Sequence, residues 1–337
     1  PMAILTRPSS GTGQDPGLVI LDSVSGLIKF YESVQHAPTL GLINDKSLEI
    51  DIPLKKDEYI TLAENVEPAG IVIATSLQRC ILISLRDFKS KPQLGYMELL
   101  NNEGFLQRFF KPETNEIVAI RSGKITNHGT IQEILVLDSS GNFYLYNYNL
   151  FSATASPYVD KKKSFRQSIR VEFDAYPGSN QFATFLDIWP VDDIYLALCQ
   201  IEQSLYLVTL RIDKSGALPF GSHKLKTANF PSSKPKLYLP KPGKTAFVII
   251  DNSVILTDLN TSYIESKNTL TYYKPRWEDV VRFKSSVEFV GSGFENQSPN
   301  SNPAVILISK NFGVVRIEKF PESQTDTVIE PLAIVKS

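Results

Sequence analysis

The feature that most restricts the fold of this sequence is a hairpin pattern that occurs six times. Each copy has a short run rich in Val, Ile and Leu, then a polar turn, then a second apolar run. Such runs are typical of strands buried on one or both faces, and the short polar break is typical of a hairpin turn. The six copies occupy residues 17–31, 70–85, 133–146, 194–212, 245–258 and 304–317.

The spacing of these hairpins predicts a β-propeller. They recur about every 57 residues between positions 17 and 304, and regular recurrence of a four-stranded unit is typical of blades that pack on one another. The period exceeds the roughly 40–45 residues of WD40 repeats, and the Trp-Asp signature does not recur. We therefore predict an all-β fold, an irregular β-propeller with six readable blades, as a single domain of residues 1–337. A pair of β-sandwiches is the alternative.

Other short apolar segments predict the outer strands of the blades. Leading strands are predicted at 2–6, 59–62, 117–121, 182–188 and 280–283, and trailing strands at 48–52, 169–173 and 328–334. Gly26, Gly141 and Gly313 lie at or just after hairpin turns, where glycine adopts a positive φ at low cost. The stretch from Gly291 to Pro303 is rich in Gly, Ser, Asn and Pro, which predicts a flexible loop.

Composition argues against several classes of protein. The net charge is −1, so the basic excess of a typical nucleic-acid-binding domain is missing. Cys80 and Cys199 are the only cysteines and lie in apolar runs, which predicts buried thiols and favours a reducing compartment. No apolar run approaches the roughly 20 residues that span a bilayer. Because the chain begins with Pro1 and Met2, we expect a fragment of a longer protein.

The sequence offers no recognisable residues for catalysis, for a cofactor or for a metal. His36, His128 and His223 fall in loop-like sequence, without a second histidine or a cysteine at zinc-ligand spacing. The Gly-x-Ser-x-Gly nucleophile motif and the phosphate-binding P-loop motif are missing. Asp192 and Asp193 are adjacent in a predicted turn, where water would solvate both carboxylates. We therefore predict a protein that is not an enzyme and has no cofactor and no small-molecule substrate.

A basic cluster is the first candidate contact site. It consists of Lys161, Lys162, Lys163, Arg166 and Arg170. Such a cluster could meet phosphates or an anionic membrane, although a run of this kind is more often a solvated loop.

The segment from Leu99 to Lys111 is a candidate for membrane contact. On a helix its large apolar residues would form one face; they are Leu99, Leu100, Phe105, Leu106, Phe109 and Phe110. Pro112 would end such a helix. A short amphipathic helix can lie in a membrane interface, and the alternative is a hydrophobic cluster packed on a blade edge.

Two segments resemble a known family. They are residues 17–32 and residues 57–76, and the second contains the more specific stretch Asn65-Val-Glu-Pro-Ala-Gly70. Together they are similar to the N-terminal propeller of the fungal scaffold nucleoporins of the Y-shaped nuclear pore complex, most clearly over residues 1–150. The resemblance implies a seven-bladed propeller, followed outside this chain by a helical domain, with a structural role at the nuclear envelope.

The resemblance also implies partners and a location. It implies contact with other Y-complex nucleoporins at the nuclear pore complex of the nucleus, in support of mRNA export and protein transport. Members of the family carry a curvature-sensing amphipathic loop, which the segment 99–111 resembles, although that segment is short and lacks Ser and Thr. Two alternatives stay open: a propeller scaffold of another assembly, such as a vesicle coat or a ubiquitin ligase adaptor, and an enzyme.

Overall fold

The structure, a computed structural model, describes residues 1–8, 13, 15–37, 47–87, 89–100, 116–152, 154–157, 163–164, 183–191, 194–213, 216–226, 232–259, 271–272 and 275–320. These residues form twenty-five β-strands and one 3₁₀ helix, η1 (Val34–His36). The chain divides into two compact units, residues 1–237 with 260–276, and residues 238–259 with 277–337. None of the helical residues described forms a helix long and apolar enough to cross a membrane.

The first unit contains four sheets whose strands follow one another along the chain. Sheet 1 comprises β1 (Met2–Thr6), β2 (Gly17–Leu21), β3 (Leu27–Tyr31) and β4 (Leu48–Asp51). Sheet 2 comprises β5 (Ile60–Asn65), β6 (Ile71–Thr75), β7 (Cys80–Arg86) and β8 (Pro92–Leu100). Sheet 3 comprises β9 (Ile117–Thr126), β10 (Ile131–Asp138), β11 (Asn142–Asn149) and β12 (Thr154–Pro157), with β13 (Lys163–Ser164) also paired to β11. Sheet 4 comprises β14 (Thr184–Val191), β15 (Ile194–Ile201), β16 (Ser204–Asp213) and β17 (Gly216–Lys224), and the short β21 (Thr271–Tyr272) lies parallel to β17.

Two more sheets complete the described chain. Sheet 5 comprises β18 (Lys236–Tyr238), β19 (Thr245–Ile250), β20 (Ser253–Asp258) and β22 (Glu278–Arg282). Sheet 6 comprises β23 (Phe289–Glu295), β24 (Ala304–Ser309) and β25 (Gly313–Glu318). The six predicted hairpins are confirmed as the antiparallel pairs β2–β3, β6–β7, β10–β11, β15–β16, β19–β20 and β24–β25.

Apolar clusters between neighbouring sheets form the core of the first unit. In β10, Ile134 and Val136 pack in the cluster shared with sheet 2, whereas Leu135 and Leu137 pack in the cluster shared with sheet 4. Successive side chains of a strand point to opposite faces, so a strand between two sheets needs apolar residues at every position. Burial of each such side chain contributes roughly 1.5–3 kcal/mol. This explains why the hairpins are continuous apolar runs rather than alternating ones.

The hairpin turns agree with the glycine and aspartate pattern. The φ angle is 78° at Gly26, 85° at Gly141 and 79° at Gly313, as predicted. Asp22 Oδ1 accepts hydrogen bonds from two main-chain N–H groups of its turn, and so does Asp138 Oδ1. A short carboxylate at the end of the first strand therefore holds the turn closed in sheets 1 and 3.

Some predicted outer strands are wrong. Residues 280–283 do not lead the sixth hairpin, because β22 pairs with β20 and is the last strand of sheet 5. The leading strand of sheet 6 is β23, which lies partly inside the stretch predicted as a flexible loop; Gly291 and Gly293 weaken its sequence signal, but its main chain pairs with β24. Predicted strands at 169–173 and 328–334 lie outside the described residues. Six sheets occur among the described residues, and a seventh blade stays a prediction.

Main-chain hydrogen bonds fasten the hairpin turns to later segments of the chain. Ser23 O accepts from Ile60 N at 2.8 Å, so the turn of sheet 1 holds the first residue of sheet 2. Ser139 O accepts from Phe185 N at 2.9 Å in the same way between sheets 3 and 4. Asn252 O accepts from Phe283 N at 2.9 Å, just after β22. These three bonds are called the turn ties below.

Candidate interaction sites

A polar cluster joins the first strands of three consecutive sheets. Arg121 of β9 contacts Glu64 of β5 at 3.1 Å and Asp187 of β14 at 2.6 Å. The guanidinium also lies 4.9 Å from the ring centroid of Trp189, at cation–π distance. Asp187 accepts further hydrogen bonds from the main-chain N–H groups of Leu237 (2.9 Å) and of its own neighbour in the chain. We call this group the Arg121 cluster.

The Arg121 cluster has the properties of a structural clamp. Burial raises the pKa of Asp187, while Arg121 and the N–H of Leu237 act in the opposite direction. Both carboxylates bind the same guanidinium, so neither is held ready to take a proton from a substrate. Removing one partner of a buried ion pair typically costs about 3–5 kcal/mol, which makes this cluster a stability determinant of the first unit. Sequence reasoning missed it, because its members are separated by 57 and 66 positions.

The stretch Asn65–Gly70 forms the turn between β5 and β6, and its side chains bind sheet 1. Asn65 Nδ2 donates to Leu5 O at 2.9 Å, and its Oδ1 accepts from Glu67 N at 2.8 Å. Glu67 in turn accepts from Arg7 N at 2.6 Å and pairs with Arg86 at 2.7 Å. Residues that appear unusual in the sequence are therefore those that connect sheet 2 to the strand before it.

The same turn is bound to sheet 3 by Gln132, a fully buried residue of β10. Gln132 Oε1 accepts from Ala69 N at 2.9 Å, and Nε2 donates to Val66 O at 2.6 Å and to Ser122 Oγ at 2.8 Å. Gly70 follows with φ 138°, and a Cβ atom there would collide with the carbonyl oxygen of Ile83. The turn is thus a junction of three sheets, and glycine is required at its end.

A second buried charge cluster lies between sheets 1 and 2. Arg79 contacts Glu58 at 2.7 Å, Pro53 O at 3.2 Å, and the carboxylate of Glu98. Burial opposes ionisation of Glu58, but the N–H of Lys55, the hydroxyl of Thr75 and Arg79 outweigh it and hold the pKa of Glu58 below its ordinary value. Glu58 is therefore an anion at neutral pH and a structural partner of Arg79.

The structure tests only the beginning of the predicted membrane segment. Leu99 and Leu100 are the last residues of β8, so the predicted helix does not include them. Leu99 packs against the apolar cluster between sheets 2 and 3, and Leu100 pairs with Cys80 in the strand register. Phe105, Leu106, Phe109 and Phe110 lie outside the described residues. At Leu99 the packing interpretation is therefore the correct one.

The predicted basic cluster is also mostly outside the described part of the chain. Lys161, Lys162, Arg166 and Arg170 fall there, and of Lys163 only the main chain is described, paired with Phe143. The cluster therefore stays a prediction.

The histidines and cysteines do not assemble into a site among the described residues. His36 lies in η1 and His128 in the turn after β9, whereas His223 lies in β17 and is buried, so its prediction as a loop residue is wrong. The described residues hold no group of three potential metal ligands. Cys80 and Cys199 are buried as predicted. Burial raises the pKa of the Cys80 thiol to about 12, so it stays protonated and unreactive at neutral pH.

Comparisons with known proteins agree on one family. The family model described as Nup133 N terminal like, of the nucleoporins, matches residues 1–316. The chain is 25% identical to nucleoporin NUP133 of Saccharomyces cerevisiae, an alignment that covers 100% of this chain and 30% of the yeast protein. It is 24% identical to nucleoporin NUP133 of Chaetomium thermophilum, over 94% of this chain and 28% of that protein. The chain thus spans less than a third of the length of these relatives.

A solved structure shows the fold. The β-propeller domain of Nup133 from Vanderwaltozyma polyspora superimposes with a TM-score of 0.75 at 23% identity, and the match covers 94% of this chain and 82% of that one. The all-β propeller predicted from the hairpin repeat is therefore confirmed.

Proposed function

The chain belongs to the Nup133 N-terminal-like family of nucleoporins, and on that premise we propose that it is a β-propeller scaffold domain of the nuclear pore complex. The observation that carries the proposal is the family match over residues 1–316. The geometry supports it, because the polar side chains of the Arg121 cluster and of the turn at 65–70 bind other sheets of the same unit. Such a framework holds its surface turns in fixed positions, as partner binding requires.

We further propose that the domain works at the nuclear envelope beside other Y-complex nucleoporins, in support of mRNA export and protein transport. The names of the relatives support this location. The proposed role is structural and not catalytic, since the carboxylates brought together by the fold, Glu64 and Asp187, are both occupied by Arg121.

Localisation of the full-length protein tests this proposal against the alternatives. A fluorescent fusion should give a punctate nuclear rim, and Y-complex nucleoporins should copurify with it. A signal on cytoplasmic vesicles would instead favour a vesicle coat. Copurification with a ubiquitin ligase, without nucleoporins, would favour an adaptor.

Membrane contact by the segment 99–111 is a finer part of the proposal. Because Leu99 packs inward, the candidates are Phe105, Leu106, Phe109 and Phe110. Full burial of four such side chains offers roughly 1.5–3 kcal/mol each, from which the ordering of the backbone removes about 1–2 kcal/mol per residue. Weak, reversible attachment is therefore expected, and many copies in one assembly would strengthen it.

Liposome flotation tests membrane contact directly. The chain should float with small vesicles more than with large ones, and the double variant Phe109→Asp, Phe110→Asp should not float. Phe151→Asp is the matched control, because Phe151 is 65% exposed in a turn elsewhere on the first unit. Equal flotation of all three proteins, or flotation of none, would contradict membrane contact by this segment.

A further inference from the structure

Sheet 6 differs from the other sheets at its third strand. The third strand of each other sheet has a fourth strand along its outer edge, as β4 lies along β3, β8 along β7 and β22 along β20. Among the described residues, β25 is the third strand of sheet 6 and pairs only with β24. Its outer main-chain edge therefore has no strand partner in the part of the chain that the structure describes.

The exposure of β25 is that of an outermost strand and not that of a third strand. The middle four residues of β20, the third strand of sheet 5, are all buried. In β25 only Ile317 is buried, and Val314 is 69% exposed. The contrast matters because both strands belong to the second unit and contribute to the same apolar cluster. A strand with the composition of an inner strand is thus exposed along its edge.

Large apolar side chains are concentrated around this edge. Val314 lies directly opposite Ile308 of β24, which is 47% exposed. Phe312, in the turn between the two strands, is 60% exposed, and Phe320, just after β25, is 71% exposed. An exposed edge strand with apolar neighbours is a liability that proteins normally cover with another strand or a loop.

The chain itself carries a segment suited to this edge. Residues 321–337 follow β25 and lie outside the described residues; after a polar stretch, Val328, Ile329, Leu332, Ile334 and Val335 supply strand-forming apolar side chains. Eight residues separate Glu318 from Thr327, whereas sixteen separate β3 from β4, so the connection is long enough for an antiparallel return. Pro331 is tolerated in a strand only where its missing N–H faces outward, as at the edge of a sheet.

We propose that residues 327–335 pair with the outer edge of β25 as the fourth strand of sheet 6. Alternate N–H and C=O groups of β25 would bind this segment, and its apolar residues would cover Val314 and the neighbouring side chains. The proposal concerns the completion of one sheet and does not depend on the proposed nucleoporin function.

Hydrogen exchange measured by mass spectrometry on the full 337-residue chain tests the proposal. The variant Ile329→Asp places a charge in the apolar run, and Ser323→Asp places the same charge in the preceding polar stretch. In the wild type the amides of β25 should be protected. In Ile329→Asp they should exchange about tenfold faster, because a backbone hydrogen bond ladder is lost, whereas Ser323→Asp should match the wild type. The peptide 245–250, which is β19, reports whether sheet 5 stays folded.

The outcomes distinguish the possible occupants of the edge. Unprotected β25 amides in the wild type, or protection that Ile329→Asp leaves unchanged, would overturn the proposal. Protection that rises with protein concentration, together with a dimer mass by light scattering, would assign the edge to a second copy instead. If Ile329→Asp also loses protection in β19, Ala333→Pro serves in its place, because it removes one main-chain donor without adding a charge.

Discussion

Gln132 should be worth far more to stability than its polarity suggests. The variant Gln132→Leu keeps the side-chain volume but leaves Ala69 N and Val66 O, both in buried residues, without the partners that Gln132 supplies. The hydroxyl of Ser122 also loses its contact but can rotate to another acceptor. A buried polar group without a partner costs about 1–3 kcal/mol, so two main-chain groups imply a loss of about 2–6 kcal/mol. Replacing both partners by apolar groups is not an escape here, since a main-chain amide cannot be removed.

Urea unfolding at 25 °C, followed by circular dichroism, measures this loss. Gln93→Leu is the matched control, because Gln93 is exposed in β8, and its effect should stay within about 0.5 kcal/mol. A loss below about 1 kcal/mol in Gln132→Leu would refute the reasoning, because it would mean that the turn at 65–70 does not depend on its contact with sheet 3.

Three further results are expected. Glu58→Gln should cost about 3 kcal/mol at pH 7, because Arg79 loses a buried partner; since the folded pKa of Glu58 is lowered, the difference from wild type in urea should shrink as the pH falls below the ordinary glutamate pKa of about 4.3. Gly70→Ala should lower the urea midpoint by the equivalent of more than about 1 kcal/mol, because of its positive φ and the collision with Ile83 O, and an unchanged midpoint would contradict that geometry. Native protein at pH 7.5 should leave the Cys80 thiol unmodified by iodoacetamide, whereas protein in 8 M urea should react fully; fast native labelling would show that this strand opens.

The hairpin repeat was sufficient to predict the fold, because each hairpin carries its own signal. A strand buried on both faces must be apolar at every position, and its turn must contain residues such as Gly26 or Asp22, so both marks appear within fifteen residues. The outer strands were harder, since they are half exposed and short. Residues 280–283 have a strand-like composition, but composition does not tell whether β22 pairs with the hairpin before it or the one after it.

The polar junctions could not be predicted from the sequence, because they depend on which strands become neighbours. Glu64, Arg121 and Asp187 are ordinary charged residues until β5, β9 and β14 lie side by side. The turn at 65–70 was noticed through a family resemblance, yet the role of Gln132 in holding it carried no local signal. His223 shows the same limit: its flanking glycine and serine suggest a loop, but pairing with Leu207 places it in a strand.

The turn ties have a consequence for how such domains change over evolutionary time. Ser23, Ser139 and Asn252 contribute only their carbonyl oxygens, and Ile60, Phe185 and Phe283 only their N–H groups. A mutation of these side chains leaves the bond in place, provided that the new residue is not proline at the donor. Connections of this kind do not constrain which amino acid is present, so sequences can drift until about a quarter of the residues agree while the blades keep their places. Mutations in such a family should therefore accumulate freely at the tied turns and slowly at junction side chains such as Gln132.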